Sequence, residues 1–143
     1  MILLVEDNPD DEILTLRALR KHIANDVIVA RTGEDALAFL FGTGPYAGRD
    51  VTDRPQLVLL DLNLPKIDGL DVLRRIRADD RTRLQPVVIL TSSREDEDII
   101  NSYALGANSF VRKPVGFADF TSAVRALGVF WLLTNAPPPR PSR

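Results

Sequence analysis

Five polar residues in this 143-residue chain stand where chemistry could be done. Glu6 and Asp7 follow the apolar run Ile2-Leu3-Leu4-Val5, and Asp61 follows Leu57-Val58-Leu59-Leu60. Thr91 follows Val87-Val88-Ile89-Leu90, and Lys113 comes just after Ser109-Phe110-Val111. Three carboxylates brought to one place repel each other unless a proton or a cation joins them. A hard divalent cation with oxygen ligands answers that repulsion, Mg²⁺ first among the choices. An ammonium and a hydroxyl at the same edge suit a dianionic phosphoryl group. Taken singly, each residue has an ordinary reading. An acid after a strand is commonly an N-cap, as is a threonine. The case lies in their occurring together.

The elements that would position them are legible as an alternation. The apolar runs just named, together with Val27-Ile28-Val29-Ala30, are too short for buried helices. They suit strands covered on both faces, as in a parallel sheet. Between them lie five helical patterns. The first follows Asn8-Pro9-Asp10 and places Ile13, Leu16, Leu19 and Ile23 on one stripe. The second runs from about Gly33 to Phe41 with Ala36, Leu37 and Leu40 inward. The third follows Asp68-Gly69 and carries Leu70, Leu73 and Ile76. The fourth spans about Glu95 to Leu105 with Ile99, Ile100 and Tyr103. The fifth starts near Gly116, with Phe117, Phe120, Val124 and Leu127 in the strongest helical period of the chain. This (βα)₅ pattern predicts an α/β doubly wound parallel sheet with right-handed crossovers. Sites in such sheets form outside the carboxyl ends of the strands, where all five polar residues fall. The connection from Gly42 to Pro55 is longer than is usual. The proline-rich end, Thr134 to Arg143, cannot be helical.

Composition narrows the function classes. Hydrophobic residues make up 45% and charged residues 27%, a globular balance. A formal net charge of −2 gives no argument for direct nucleic-acid binding. The absence of cysteine excludes disulfide scaffolds, thiolate zinc sites and cysteine nucleophiles. The single histidine, His22, excludes a multi-histidine metal site and reads as a solvated residue at the end of the first helix. The glycines of Gly42-Thr43-Gly44 follow a helix and lack the context of a nucleotide fingerprint. With no secretory n-region and no apolar run of the roughly 18–20 residues that spans a bilayer, a cytoplasmic location is expected.

The sequence resembles a response-regulator receiver domain of two-component signalling over about residues 1–128. The resemblance rests on Val5-Glu6-Asp7-Asn8, on Leu59-Leu60-Asp61-Leu62-Asn63-Leu64-Pro65 with Asp68-Gly69, on Leu90-Thr91-Ser92, and on Lys113-Pro114. Thr91 lies 30 residues after Asp61, and Lys113 lies 22 after Thr91. The family implies a flavodoxin-like sheet of order 2-1-3-4-5. It implies Asp61 as phospho-acceptor from a sensor histidine kinase. Mg²⁺ would be held by Asp7, Asp61 and the Asn63 carbonyl, with Glu6 acting through water. Lys113, the Thr91 hydroxyl and the Ser92 N–H would bind phosphoryl oxygens. Thr91 and Phe110 would form the switch, and Lys113-Pro114 would be a cis peptide. Asn63 and Ser93 would flank the hydrolytic water, so phosphate loss in minutes is expected. The chain would not be an enzyme beyond its own phosphotransfer and slow autodephosphorylation.

With no effector domain after residue 128, output is expected through protein contact. The long 42–55 loop and the apolar-aromatic helix end resemble regulators that serve phytochrome kinases. A phosphorelay intermediate or a phosphate sink is the alternative. A phospho-aspartate phosphatase fits less well, because Asn63 occupies the place of its second acid. Residues 129–143 read as a dimerisation extension. Val129, Phe130, Trp131, Leu132 and Leu133 spread round a helix, so one sheet cannot cover them all. A homodimer through this helix and the fourth-helix and fifth-strand face follows, with the proline segment Pro137–Pro141 as an arm.

Overall fold

The computed structural model describes residues 1–140. Positions 141–143, the end of the predicted arm, lie outside the described residues. Strands β1 (Ile2–Val5), β2 (Val27–Ala30), β3 (Leu57–Leu60), β4 (Val87–Thr91) and β5 (Ser109–Arg112) form one parallel sheet in the order β2-β1-β3-β4-β5. Helices α1 (Pro9–Arg20), α2 (Gly33–Phe41), α3 (Gly69–Ala78), α4 (Asp96–Ala104) and α5 (Phe117–Val129) alternate with them. The flavodoxin-like expectation holds in strand count, direction and order.

Side-chain alternation along the three central strands builds two cores. Leu3, Val5, Val58, Leu60, Val87 and Ile89 face α2 and α3, meeting Ala36, Leu40, Val72, Leu73 and Ile76. Ile2, Leu4, Leu57, Leu59, Val88 and Leu90 face α1 and α5, meeting Leu19, Phe120 and Val124. Since these strands are apolar on both faces, their polar residues are pushed to the ends. The ladder then carries the site residues in register. The Glu6 N–H donates to the Ala30 carbonyl at 3.0 Å, and the Asp61 N–H to the Val5 carbonyl at 3.1 Å. The Lys113 N–H donates to the Thr91 carbonyl at 2.7 Å.

Four stripe residues do not point inward. Ile13, Ile100, Tyr103 and Phe117 are exposed. A helical period gives a stripe but not its edges, and these lie on its outer margin. The Lys113–Pro114 bond is trans, as no cis peptide occurs among the described residues, which corrects the cis expectation. His22 is exposed beyond α1. Because α1 starts at the carboxyl edge of the sheet and runs about 18 Å back, His22 lies at the opposite end from Asp61. The 42–55 connection is ordered by Arg49, whose guanidinium lies 4.0 Å from the centre of the Phe39 ring. Its Nε also donates to the Phe39 carbonyl at 2.7 Å.

The chain end departs most from expectation. After Val129 the helix widens into a π-type turn over Phe130–Thr134, closed by the Asn135 N–H on the Phe130 carbonyl at 2.7 Å. Trp131 comes eleven residues after Phe120, about three helical turns on. It therefore continues the Phe120, Val124 and Leu127 stripe into the α1/α5 core, where it is buried with Leu132 packed beside it. Trp131 is thereby removed from the predicted interface, whereas Val129, Phe130 and Leu133 stay exposed. Pro137, Pro138 and Pro139 lie beside residues 52–56 of the same chain. Arg140 donates to Asp50 and Thr52 in the 42–55 connection of the same chain. Phe117–Thr134 is long and apolar enough to cross a membrane by length and composition. No uninterrupted apolar run revealed it, because Asp119 and Arg125 break the stretch. Phe120, Val124 and Trp131 on it are buried against its own sheet.

One glycine governs how close α3 comes to the site. A Cβ on Gly69 would run into the Asp61 carbonyl oxygen and lie 2.6 Å from the Leu62 Cα, both backbone atoms that cannot swing away. Gly69→Ala should therefore cost about 1–3 kcal/mol in denaturant unfolding. A loss no greater than that of an exposed helix substitution would show that α3 does not seat on the β3 end.

Candidate functional site

The carboxyl edge of the sheet gathers Glu6, Asp7, Asp61, Thr91 and Lys113. Glu6, Asp61, Thr91 and Lys113 are buried, and Asp7 is exposed. Lys113 Nζ donates to Glu6 Oε1 at 2.5 Å, to Asp61 Oδ2 at 2.8 Å and to Asp11 Oδ2 at 2.8 Å. Asp61 Oδ1 accepts from the Thr91 hydroxyl at 2.8 Å and from the Asn63 N–H at 3.0 Å. Asn63 itself is exposed, and its amide reaches the Thr91 Oγ1 at 3.5 Å. Ser93 directs its N–H at the same Thr91 oxygen, at 3.4 Å, and its hydroxyl at Asp98 Oδ2, at 2.5 Å. Ser92 is exposed, next to Thr91. Phe110 is half-buried on β5, paired with Ile89 and packed against the α2/α3 core.

Electrostatics separate the two buried acids. Burial pushes Glu6 up to about 7, and the nearby Asp61 charge adds to this against the pull of Lys113. Burial also raises Asp61, but the Lys113 ammonium, the Asn63 N–H and the Thr91 hydroxyl outweigh it and leave Asp61 below its ordinary value. Lys113 is raised despite its own burial, because Asp11, Asp61 and Glu6 all accept from it. Asp61 is thus a buried carboxylate whose charged form is favoured by an ammonium and a hydroxyl.

One oxygen from each of Glu6, Asp7 and Asp61 lies within 4.8 Å of the others. The donors are hard carboxylate oxygens, and one ammonium cannot neutralise them. The set fits a divalent cation of the Mg²⁺ or Mn²⁺ kind. Sequence reasoning missed Asp11. It sits in the run Asp10-Asp11-Glu12, which looks like the ordinary acidic first turn of a helix. The usable signal was its place as third helical residue, since side chains tilt back towards the helix N-terminus and so towards the strand ends.

A fold and a site of this kind define a receiver-type signalling domain. The family model for the response regulator receiver domain matches residues 2–125, and the chain belongs to that family. It is 40% identical over 135 residues to the response regulator Rcp1 of Synechocystis sp., spanning 94% of this chain and 90% of Rcp1. A structure of Rcp1 in its Mn²⁺-bound form superposes with a TM-score of 0.88 at 40% identity, covering 96% of this chain and 98% of that one. The phosphorylated cyanobacterial phytochrome response regulator RcpA superposes with a TM-score of 0.90 at 39% identity, covering 96% and 97%. The bacteriophytochrome response regulator AtBRR is 56% identical, with a TM-score of 0.73 and coverage of 94% and 96%. The protein is therefore a response regulator receiver of the two-component type, a class that binds a divalent metal and works with a sensor kinase.

The position of Glu6 has a pH consequence. Its folded value of about 7 lies above its ordinary 4.5. The folded state therefore holds this proton more tightly than the unfolded chain does. The stability that the proton contributes is complete below about 4.5 and is lost as pH rises through about 7. A cation competes with the same proton. Mg²⁺ affinity by calorimetry should tighten between about pH 6 and 8 in the wild type, and Glu6→Gln should flatten that rise. A flat wild-type profile would show that Glu6 does not share the cation's site.

Proposed function

We propose that Asp61 is the acceptor of a phosphoryl group from a phosphohistidine on a sensor histidine kinase. The observation that carries this is the Asp61 carboxylate itself, buried yet ionised between Lys113 and Thr91 and next to the acids of β1. An Asp61 carboxylate oxygen attacks phosphorus in line, forming a P–O bond as the P–N bond breaks, and the imidazole leaves with the bonding pair. Asp61 then carries an acyl phosphate. Asp7, Asp61 and the Asn63 carbonyl would hold Mg²⁺ directly, with Glu6 acting through water. Both Glu6 oxygens already accept protein hydrogen bonds, from Lys113 and from the Asn8 N–H, whereas Asp7 is exposed. The bound cation would neutralise charge on the transferring phosphoryl oxygens. Lys113 and the Thr91 hydroxyl take the remaining oxygens, with the Ser92 N–H beside them. The transfer rests on positioning and charge neutralisation.

The output is read as a protein-contact signal from the receiver, residues 1–128. Thr91 drawn to the phosphoryl group and Phe110 packing behind it form the two-state element. Phytochrome-type kinases are the partner class, supported by the names of RcpA and AtBRR. Val115 and Phe117, exposed just after Lys113, offer a protein partner apolar surface next to the site. Asp61→Asn should abolish acid-labile label from a phytochrome kinase while the protein stays folded. Wild-type labelling in that variant would place the acceptor elsewhere.

Residues 129–143 are proposed as a homodimer extension resting on Phe130, Val129, Leu133 and the half-buried Leu132. Phe130→Ser with Leu133→Ser should give a monomer in sedimentation with little loss of stability. Trp131→Ala, being a core change, should instead cost about 3–5 kcal/mol. A wild-type protein that stays monomeric at high concentration, phosphorylated or not, would contradict the dimer.

A further inference from the structure

Lys113 is held by more acid than the phosphotransfer reading uses. An ammonium has three N–H donors, and here all three are taken, by Glu6, Asp61 and Asp11. Glu6 and Asp61 also belong to the carboxylate cluster suited to a divalent cation, and Asp11 does not. A cation and a phosphoryl group therefore both draw on the first two acids. Asp11 is the one partner whose charge stays on the lysine side.

Its placement is built into α1. Asn8 caps that helix, its Oδ1 accepting from the Asp10 N–H at 2.9 Å and the Asp11 N–H at 3.1 Å. The cap fixes the first turn, and the backward tilt of helical side chains aims the Asp11 carboxylate over the end of β1. Asp11 is only partly exposed, so its hold on the lysine is less screened than a surface pair would be.

We propose that Asp11 is a positioning residue that keeps the Lys113 ammonium over Asp61 while Glu6, Asp7 and Asp61 engage the cation. The proposal rests on Asp61 being the phospho-acceptor. Without Asp11 the ammonium has one donor unsatisfied and swings further towards Glu6. Fewer encounters then find it placed for the incoming phosphoryl oxygen. The defect lies in the transfer rate and not in cation binding.

The test is phosphorylation of the full chain by acetyl phosphate, followed against Mg²⁺ concentration. At saturating Mg²⁺, Asp11→Ala should phosphorylate about tenfold more slowly, with its Mg²⁺ half-saturation within about twofold of wild type. Asp11→Asn keeps an acceptor oxygen and should stay within about threefold of wild type. Asp11→Leu keeps bulk without an acceptor and should share the loss seen with alanine, which keeps the test open if the alanine variant melts out. A wild-type rate in both Asp11→Ala and Asp11→Leu would overturn the positioning role alone. So would a shift in Mg²⁺ half-saturation that accounts for the whole loss. A wild-type protein that takes no label on Asp61 would bring down the acceptor assignment and this proposal with it.

Discussion

The structure is organised by one ammonium set among carboxylates. Lys113 stands within hydrogen-bond reach of Glu6, Asp11 and Asp61, with Asp7 at the rim. In water such a cluster would disperse. Here the sheet prevents it, because backbone bonds fix Glu6 to β2, Asp61 to β1 and Lys113 to β4. The two cores beneath are apolar on both faces of the central strands, so the charges have nowhere to retreat except the strand ends. The result is a site short of positive charge, which a proton on Glu6 relieves in part and a divalent cation relieves better.

That deficit accounts for the division of labour. Asp61 has the stronger set of donors and is held towards its charged form, which suits the proposed acceptor role, while Glu6 is held nearer its protonated form. Thr91 and Lys113 are bonded to the two different oxygens of Asp61, so anything added to that carboxylate must disturb both. Thr91 also accepts from the N–H of Ser93, and Ser93 reaches Asp98 in the first turn of α4. A charge placed on Asp61 thus acts on a hydrogen-bonded path to α4, the kind of local event that biases a two-state element.

The parts that were legible in the sequence are those governed by short-range pattern. The central strands are continuous apolar runs, and the site acids follow them directly, so both could be placed by reading along the chain. Strand order could not, and came from family resemblance. The exposed Ile13, Ile100, Tyr103 and Phe117 show where pattern stops, since packing decides which stripe positions are covered. Trp131 was misplaced because Val129 to Leu133 was read as one apolar block, although Trp131 extends the Phe120, Val124 and Leu127 stripe by one more turn. Asp11 was hidden by its neighbours, since an acidic first turn is expected of any helix. Arg140 reaches back 88 residues to Thr52, a distance no local reading spans.

The proposed acceptor role of Asp61 requires a divalent cation to supply the positive charge that the carboxyl edge lacks, so that the carboxylate can take a dianionic phosphoryl group. Beryllofluoride, a stable mimic of that group, tests it through ¹⁹F NMR. Bound fluorine signals should appear in the wild type only when Mg²⁺ is present, and should be absent in Asp61→Asn at any Mg²⁺ concentration. Bound signals without a cation, or in Asp61→Asn, would contradict the account.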